Sequence, residues 1–232
     1  MAGKIYGGRH LDEHRKMKEL VLAETAVIRS AKRLISLKRY GDAMPLLESV
    51  TRKQLSTFDD GNQSTYFMLY GRCLYELGFY QRAILKSRIA ARLASRSGKD
   101  AIYAEVKCQI GRIRLRQGQY IAATEEFNES YVFYRRVRDF SSMLVPLCSL
   151  AQAHFIAGNL TPARQALQNC IRGSRKYLSL SHTTLLERNL ARVLLFMGEL
   201  AQAKSIIDSV SNSVSSCCLQ VAEFGLASII RT

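Results

Sequence analysis

One column of residues has the types and the spacing to do chemistry. Lys32, Arg72, Arg112, Gln152 and Arg192 follow one another at a constant forty-residue step. Four of the five are cations. A row of cations at even spacing suits an extended acidic segment or a helix with an acidic face. Covalent and metal chemistry lack such an arrangement. The chain has no Gly-rich phosphate loop, no G-x-S-x-G and no H-E-x-x-H. His10 and His14 are four residues apart and could share a helix face, but no third ligand stands near, so the pair reads as fortuitous. The carboxylate pairs Glu125-Glu126 and Asp59-Asp60 read as solvated positions. The expectation is a binding protein, not an enzyme, with no cofactor and no metal.

The elements that must position this column are themselves repeated. Leu77-Gly78-Phe79-Tyr80-Gln81-Arg82-Ala83 returns as Gln117-Gly118-Gln119-Tyr120-Ile121-Ala122-Ala123, as Ala157-Gly158-Asn159-Leu160-Thr161-Pro162-Ala163 and as Met197-Gly198-Glu199-Leu200-Ala201-Gln202-Ala203. One step earlier stands Leu37-Lys38-Arg39-Tyr40-Gly41-Asp42-Ala43, with Lys38 in the Gly slot. A second small-residue column runs Ala31, Gly71, Gly111, Ala151, Ala191, and a bulky one runs Tyr40, Tyr80, Tyr120, Leu160, Leu200. Three columns in one phase argue against coincidence. Periods of 20–50 residues mark units that cannot bury a core alone and must stack.

Composition agrees with a stacked helical array. Apolar residues make up 47% of the 232, enough for a core. The net charge of +15 favours acidic partners: an acidic peptide, a nucleic acid or an anionic membrane surface. Six cysteines occur without a C-x-x-C, mostly within helix-like segments, and read as reduced thiols of an intracellular protein. No apolar run reaches membrane-span length. Asp12, Glu13, Glu19 and Glu24 argue against a transit peptide, so the expected location is cytoplasm or nucleus.

Along the chain, residues 1–19 form an N-terminal segment, partly frayed, with helical patterning from Leu11. Five repeats follow over 20–211: about 20–60, 61–100, 101–140, 141–180 and 181–211. Within them the pattern predicts a first helix to about Leu37 and a second capped by Asp42, with Pro45 in its first turn and Val50 still on its buried face. Residues 57–62 read as a loop. Helix pairs are then expected at 63–77 and 80–96, 101–117 and 120–137, 141–157 and 161–178, and 181–197 and 200–211. Thr161-Pro162 reads as an N-cap followed by proline at the first helical position. Gly78, Gly118, Gly158 and Gly198 end first helices in the left-handed cap conformation. Residues 212–232 hold a polar loop and one more helix over 217–231, either a cap or the first half of a sixth repeat.

Phe67, Tyr70, Gly71, Leu74, Gly78, Tyr80, Ala83 and Ala90 resemble the tetratricopeptide repeat, as do Ile110, Gly111, Gly118, Tyr120, Ala123 and Phe127. The forty-residue period is similar to the longer-helix subclass of rapsyn-like and spindle-orientation adaptors and of anaphase-promoting-complex subunits. Arg114, His154, Lys107 and Glu187 depart from the pattern, standing where apolar or bulky residues are usual. The resemblance implies an all-α right-handed α-solenoid of about five helical hairpins plus a terminal helix, with first helices lining a concave groove. It places Lys32, Arg72, Arg112, Gln152 and Arg192 in that groove, with Arg29, Arg116 and Arg188 near it and Ser149 and Asn189 able to bond a peptide backbone. Apolar groove candidates are Ile28, Ile35, Met68, Tyr75, Leu115, Phe155, Leu195 and Phe196. Ile28, Met68, Cys108 and Cys148 occupy the slot where a chaperone-binding carboxylate clamp carries Lys, which disfavours that ligand.

The expected function is a protein–protein interaction scaffold or adaptor within a multiprotein complex, holding an acidic peptide or helix. Two alternatives stay open. One is an RNA-associated protein using second-helix arginines such as Arg88, Arg92 and Arg96, though aromatic–basic interleaving is confined to Tyr131, Phe133 and Tyr134 beside Arg135. The other is a structural subunit of a large assembly without a peptide client.

Overall fold

The computed structural model describes residues 26–177 and 180–213, with side chains described except at 174–182, 212 and 213. The N-terminal segment, the His10–His14 pair and the helix expected at 217–231 lie outside the described residues. Within them the chain is helical and carries no strand. The order is α1 (26–36), α2 (Tyr40–Glu48), α3 (Arg52–Leu55), α4 (Asp60–Glu76), α5 (Tyr80–Arg96) and α6 (Asp100–Arg116), then α7 (Tyr120–Arg136), α8 (Phe140–Ile156), α9 (Leu160–Tyr177), α10 (Leu180–Phe196) and α11 (Leu200–Ser213). The helices group into two compact units that divide between Gln117 and Gly118, so α6 falls in the first and α7 in the second.

A shared joint closes these helices. At α4, Phe79 N–H bonds the carbonyl of Leu74 at 2.8 Å and Gly78 N–H bonds that of Tyr75 at 3.0 Å. This is the paired-bond C-terminal cap, and it needs φ > 0 at the residue after the cap. Gly78, Gly118, Gly158 and Gly198 have φ of +85°, +74°, +78° and +80°. The same joint ends second helices at Gly98 (+65°) and Arg138 (+57°), and Lys38 (+58°) adopts it despite its side chain. From Gly78 to Gly158 the turn therefore returns every twenty residues, and α4 to α8 are each 17 residues long.

Two of the expected starts are corrected. Asp42 does not cap α2. The helix begins at Tyr40, and Asp42 lies in its first turn, taking a 2.7 Å bond from Arg39 Nε. Likewise α9 begins at Leu160, which puts Thr161 inside the helix instead of at its cap. In both cases the positive-φ joint has already aimed the chain, and the helix starts directly after it. The second helix of the first repeat is also shorter than expected. It stops at Glu48 because Thr51 opens α3 with a capping box: Thr51 Oγ1 accepts from Gln54 N–H at 3.2 Å, and Thr51 N–H donates to Gln54 Oε1 at 2.9 Å.

The small columns lie where backbones approach. Ala43, Ala83, Ala123, Ala163 and Ala203 are all 0% exposed. In the first unit Gly71 lies against a polar knot joining α4, α5 and α6. Gln109 Nε2 donates to Ser87 Oγ at 2.9 Å and to the Met68 carbonyl at 3.3 Å, and Ser64 Oγ donates to the Ala90 carbonyl at 2.8 Å. Tyr66 Oη donates to the Leu47 carbonyl at 2.7 Å and ties α4 to α2, and burial pushes its phenol up to about 12. Leu47, Leu74, Val106 and Ile113 fill the first core. Leu147, Leu167, Val193 and Leu194 fill the second.

Candidate partner-binding surface

In the first unit the ladder residues come together on neighbouring helices. Arg72 on α4 and Arg112 on α6 hold the same register on two first helices that pack against each other, and both are half-buried. Arg116, one turn beyond Arg112, is exposed, and its Nε–H donates to Tyr75 Oη on α4 at 3.4 Å. That bond holds the Arg116 guanidinium above its ordinary range. The Tyr75 ring in turn lies 5.8 Å from that of Tyr80. Arg72, Tyr75, Arg112 and Arg116 thus form one patch of three cations around a phenol. Lys32 and Arg29 are exposed on α1 at the preceding repeat.

Arg72, Arg112 and Arg116 make no ion pair among the described residues, although the Glu76 carboxylate adds to the Tyr75 bond in holding Arg116 up. Ion pairs of the first unit include Arg39–Asp42, Arg82–Glu48 and Arg96–Asp60, and these three do not involve the ladder. Arg72 Nε is enclosed without a hydrogen-bond partner among the described residues. Charge is also uneven along the chain: residues 26–117 carry eighteen Lys or Arg against seven Asp or Glu, and residues 118–213 carry ten against seven. The positive field belongs mainly to the first unit.

In the second unit Gln152 on α8 and Arg188 on α10 are exposed, while Asn189 and Arg192 on α10 are half-buried. Phe155 on α8 meets Phe196 on α10 edge to face at 5.3 Å. This contact spans forty-one residues, as does Tyr75 to Arg116. One geometric position therefore carries a phenol–guanidinium contact in the first unit and an aromatic pair in the second. Residue types alone do not reveal this pairing; the shared forty-one-residue spacing is the signal in the sequence that could find it.

The apolar candidates divide. Leu195 and Phe196 are exposed at 46% and 68%, and Tyr75, Leu115 and Phe155 are half-buried. Ile28, Ile35 and Met68 are buried at 7%, 3% and 6% and belong to the core, because first helices packed side by side leave only a narrow strip open. Ser149 Oγ donates to the Val145 carbonyl at 3.0 Å, so its hydroxyl proton is already engaged. On the second helices, Arg96 is taken up by a bidentate pair with Asp60, whereas Arg88 and Arg92 on α5 are exposed without an ion pair among the described residues. Tyr131 packs against the second core and Phe133 meets Tyr134 edge to face at 5.3 Å. Among the described residues no three His, Cys, Asp or Glu side chains converge as metal ligands, and no helix is long and apolar enough to cross a membrane.

No family model matches the chain, and no curated protein matches it in sequence. Solved structures do match in fold. One is a structure of nearly identical TPR-like repeats from Podosopora anserina, described as a kinesin light chain: TM-score 0.68 at 18% identity, covering 81% of this chain and 93% of that one. A second is BtubC (BKLC) from P. vanneervenii: TM-score 0.67 at 13% identity, covering 84% and 90%. A third is pilF of Pseudomonas aeruginosa: TM-score 0.65 at 15% identity, covering 85% and 79%. The fold is thus an all-α helical-repeat fold of the tetratricopeptide-like kind.

Proposed function

We propose that the chain is a non-catalytic protein-interaction scaffold or adaptor of the cytoplasm or nucleus. Its first-helix face holds an acidic peptide or an acidic helix face within a multiprotein complex. One observation carries the reading: Arg72, Arg112 and Arg116 share a face of α4 and α6, and none of the three belongs to an ion pair among the described residues. Bidentate carboxylate recognition is what such guanidiniums do best. Lys32 extends the row at the preceding repeat. In the second unit Gln152, Arg188, Asn189 and Arg192 supply donors beside the Phe155–Phe196 pair.

Affinity capture with mass spectrometry, comparing wild type with an R72E/R112E chain of unchanged circular dichroism, tests this. The expected result is loss of a defined set of partners with acidic segments, and at least roughly tenfold weaker binding for a recovered partner peptide. Retention of every partner by the double variant would sink the proposal. A second reading rests on the exposed Arg88 and Arg92, which suit a phosphate backbone. If that reading holds, R88E/R92E instead abolishes capture, nuclease treatment does the same, and binding falls steeply with salt.

A further inference from the structure

We propose that Cys148 and Cys170 form a redox-active dithiol that closes to a disulfide under peroxide, pinning α8 to α9. Their Sγ atoms lie 3.5 Å apart across the two helices of one hairpin, and both are free thiols. The pair is asymmetric in a way that assigns roles. Cys148 is half-buried and reaches solvent, whereas Cys170 is 0% exposed within the second core. A small oxidant meets Cys148 first. Either thiol can donate to the other across this gap, and burial in the second core pushes the Cys170 thiol up. That favours Cys148 as the thiolate, the form that attacks. Cys73 and Cys108 are buried in the first unit, away from this hairpin.

The chemistry balances with a hydroperoxide as the named oxidant. The Cys148 thiolate attacks one peroxide oxygen, the O–O bond breaks, and the products are the Cys148 sulfenic acid and hydroxide. The Cys170 sulfur then attacks the Cys148 sulfur as its proton passes to the departing hydroxyl. The S–O bond breaks, water leaves, and the S–S bond forms. Two electrons pass from the two sulfurs to the peroxide. Cys170 acts as the resolving thiol, which prevents oxidation of Cys148 to the irreversible acids.

The test uses the full chain with Cys217→Ser and Cys218→Ser, treated with hydrogen peroxide and digested without reduction. The expected product is a linked Cys148–Cys170 peptide, lighter by two hydrogens than its parts and reversed by dithiothreitol. The linked chain should melt roughly 5–10 °C higher. With Cys170→Ser added, a cyclic-diketone probe for sulfenic acid should label Cys148. With Cys148→Ser added, Cys170 should stay unmodified. The proposal is overturned if the unsubstituted pair yields no linked peptide, or if Cys73 or Cys108 oxidises first. That arm keeps both thiols and so does not depend on how either serine variant folds.

Discussion

Gly71 has no room for a methyl group. A Cβ there would stand 2.7 Å from both Gln109 Nε2 and Ser87 Oγ and 3.3 Å from the Ala83 carbonyl oxygen. The first two atoms are committed to each other, and the third is backbone, so none yields easily. Gly71→Ala should cost about 1–3 kcal/mol in urea unfolding with an unchanged m-value. Ordinary denaturation within ~0.3 kcal/mol of wild type would show that the knot relaxes. A second residue-scale prediction concerns acid. Asp139 accepts the Ser142 N–H at 3.0 Å at the start of α8, and that bond holds its carboxyl below the ordinary range. A carboxylate whose folded value lies below its unfolded one stabilises the fold above the unfolded value, about 3.9, and loses that contribution as pH falls through the folded value. Melting temperature should fall below about pH 4, and Asp139→Asn should shed part of that fall. Much at this scale could be read from spacing. The register of Arg72 and Arg112 follows directly from the period. That Met68 is core while Arg72, one turn on, stays half-open depends on how closely neighbouring first helices pack, which periodicity does not encode.

At the scale of the element, the decisive feature is the joint. Lys38 and Arg138 adopt left-handed backbone that a side chain disfavours. Lys38→Gly and Arg138→Gly should each raise stability by about 1 kcal/mol, seen as a higher melting temperature. Gly78→Ala is the reciprocal test, since a Cβ there meets nothing within 4 Å and the effect is purely backbone strain. It should lose about 1 kcal/mol. Helix positions were legible to within a few residues because apolar periodicity and glycine punctuate them. The starts at Tyr40 and Leu160 were misread because Asp42 and Thr161 are good caps by type. A positive-φ joint makes a side-chain cap unnecessary, and it can be occupied by Lys or Arg, so the twenty-residue recurrence was hidden wherever glycine was missing.

At the scale of the molecule, contacts run between neighbours in sequence: α4 with α5, α5 with α6, α8 with α9, α10 with α11. Damage in such an array stays local. Hydrogen exchange of the Gly71→Ala chain should speed up over 60–96 and leave 180–213 at wild-type rates. Uniform acceleration would mean that the chain opens as one cooperative body. The all-α class and the hairpin order were readable from three residue columns. The concentration of unneutralised charge in the first unit was only partly so, because which acids are already engaged depends on pairings such as Arg96 with Asp60 that span helices.

A helix of 17 residues and a joint of three set a fixed metre for α4 to α8. Slipping one extra residue into any of them turns everything downstream in that helix by about 100°, carrying buried alanines outward and cations inward. Growth and loss of this chain by natural drift should therefore come in whole stanzas, a hairpin duplicated or dropped, while small insertions survive only beyond the measured lines.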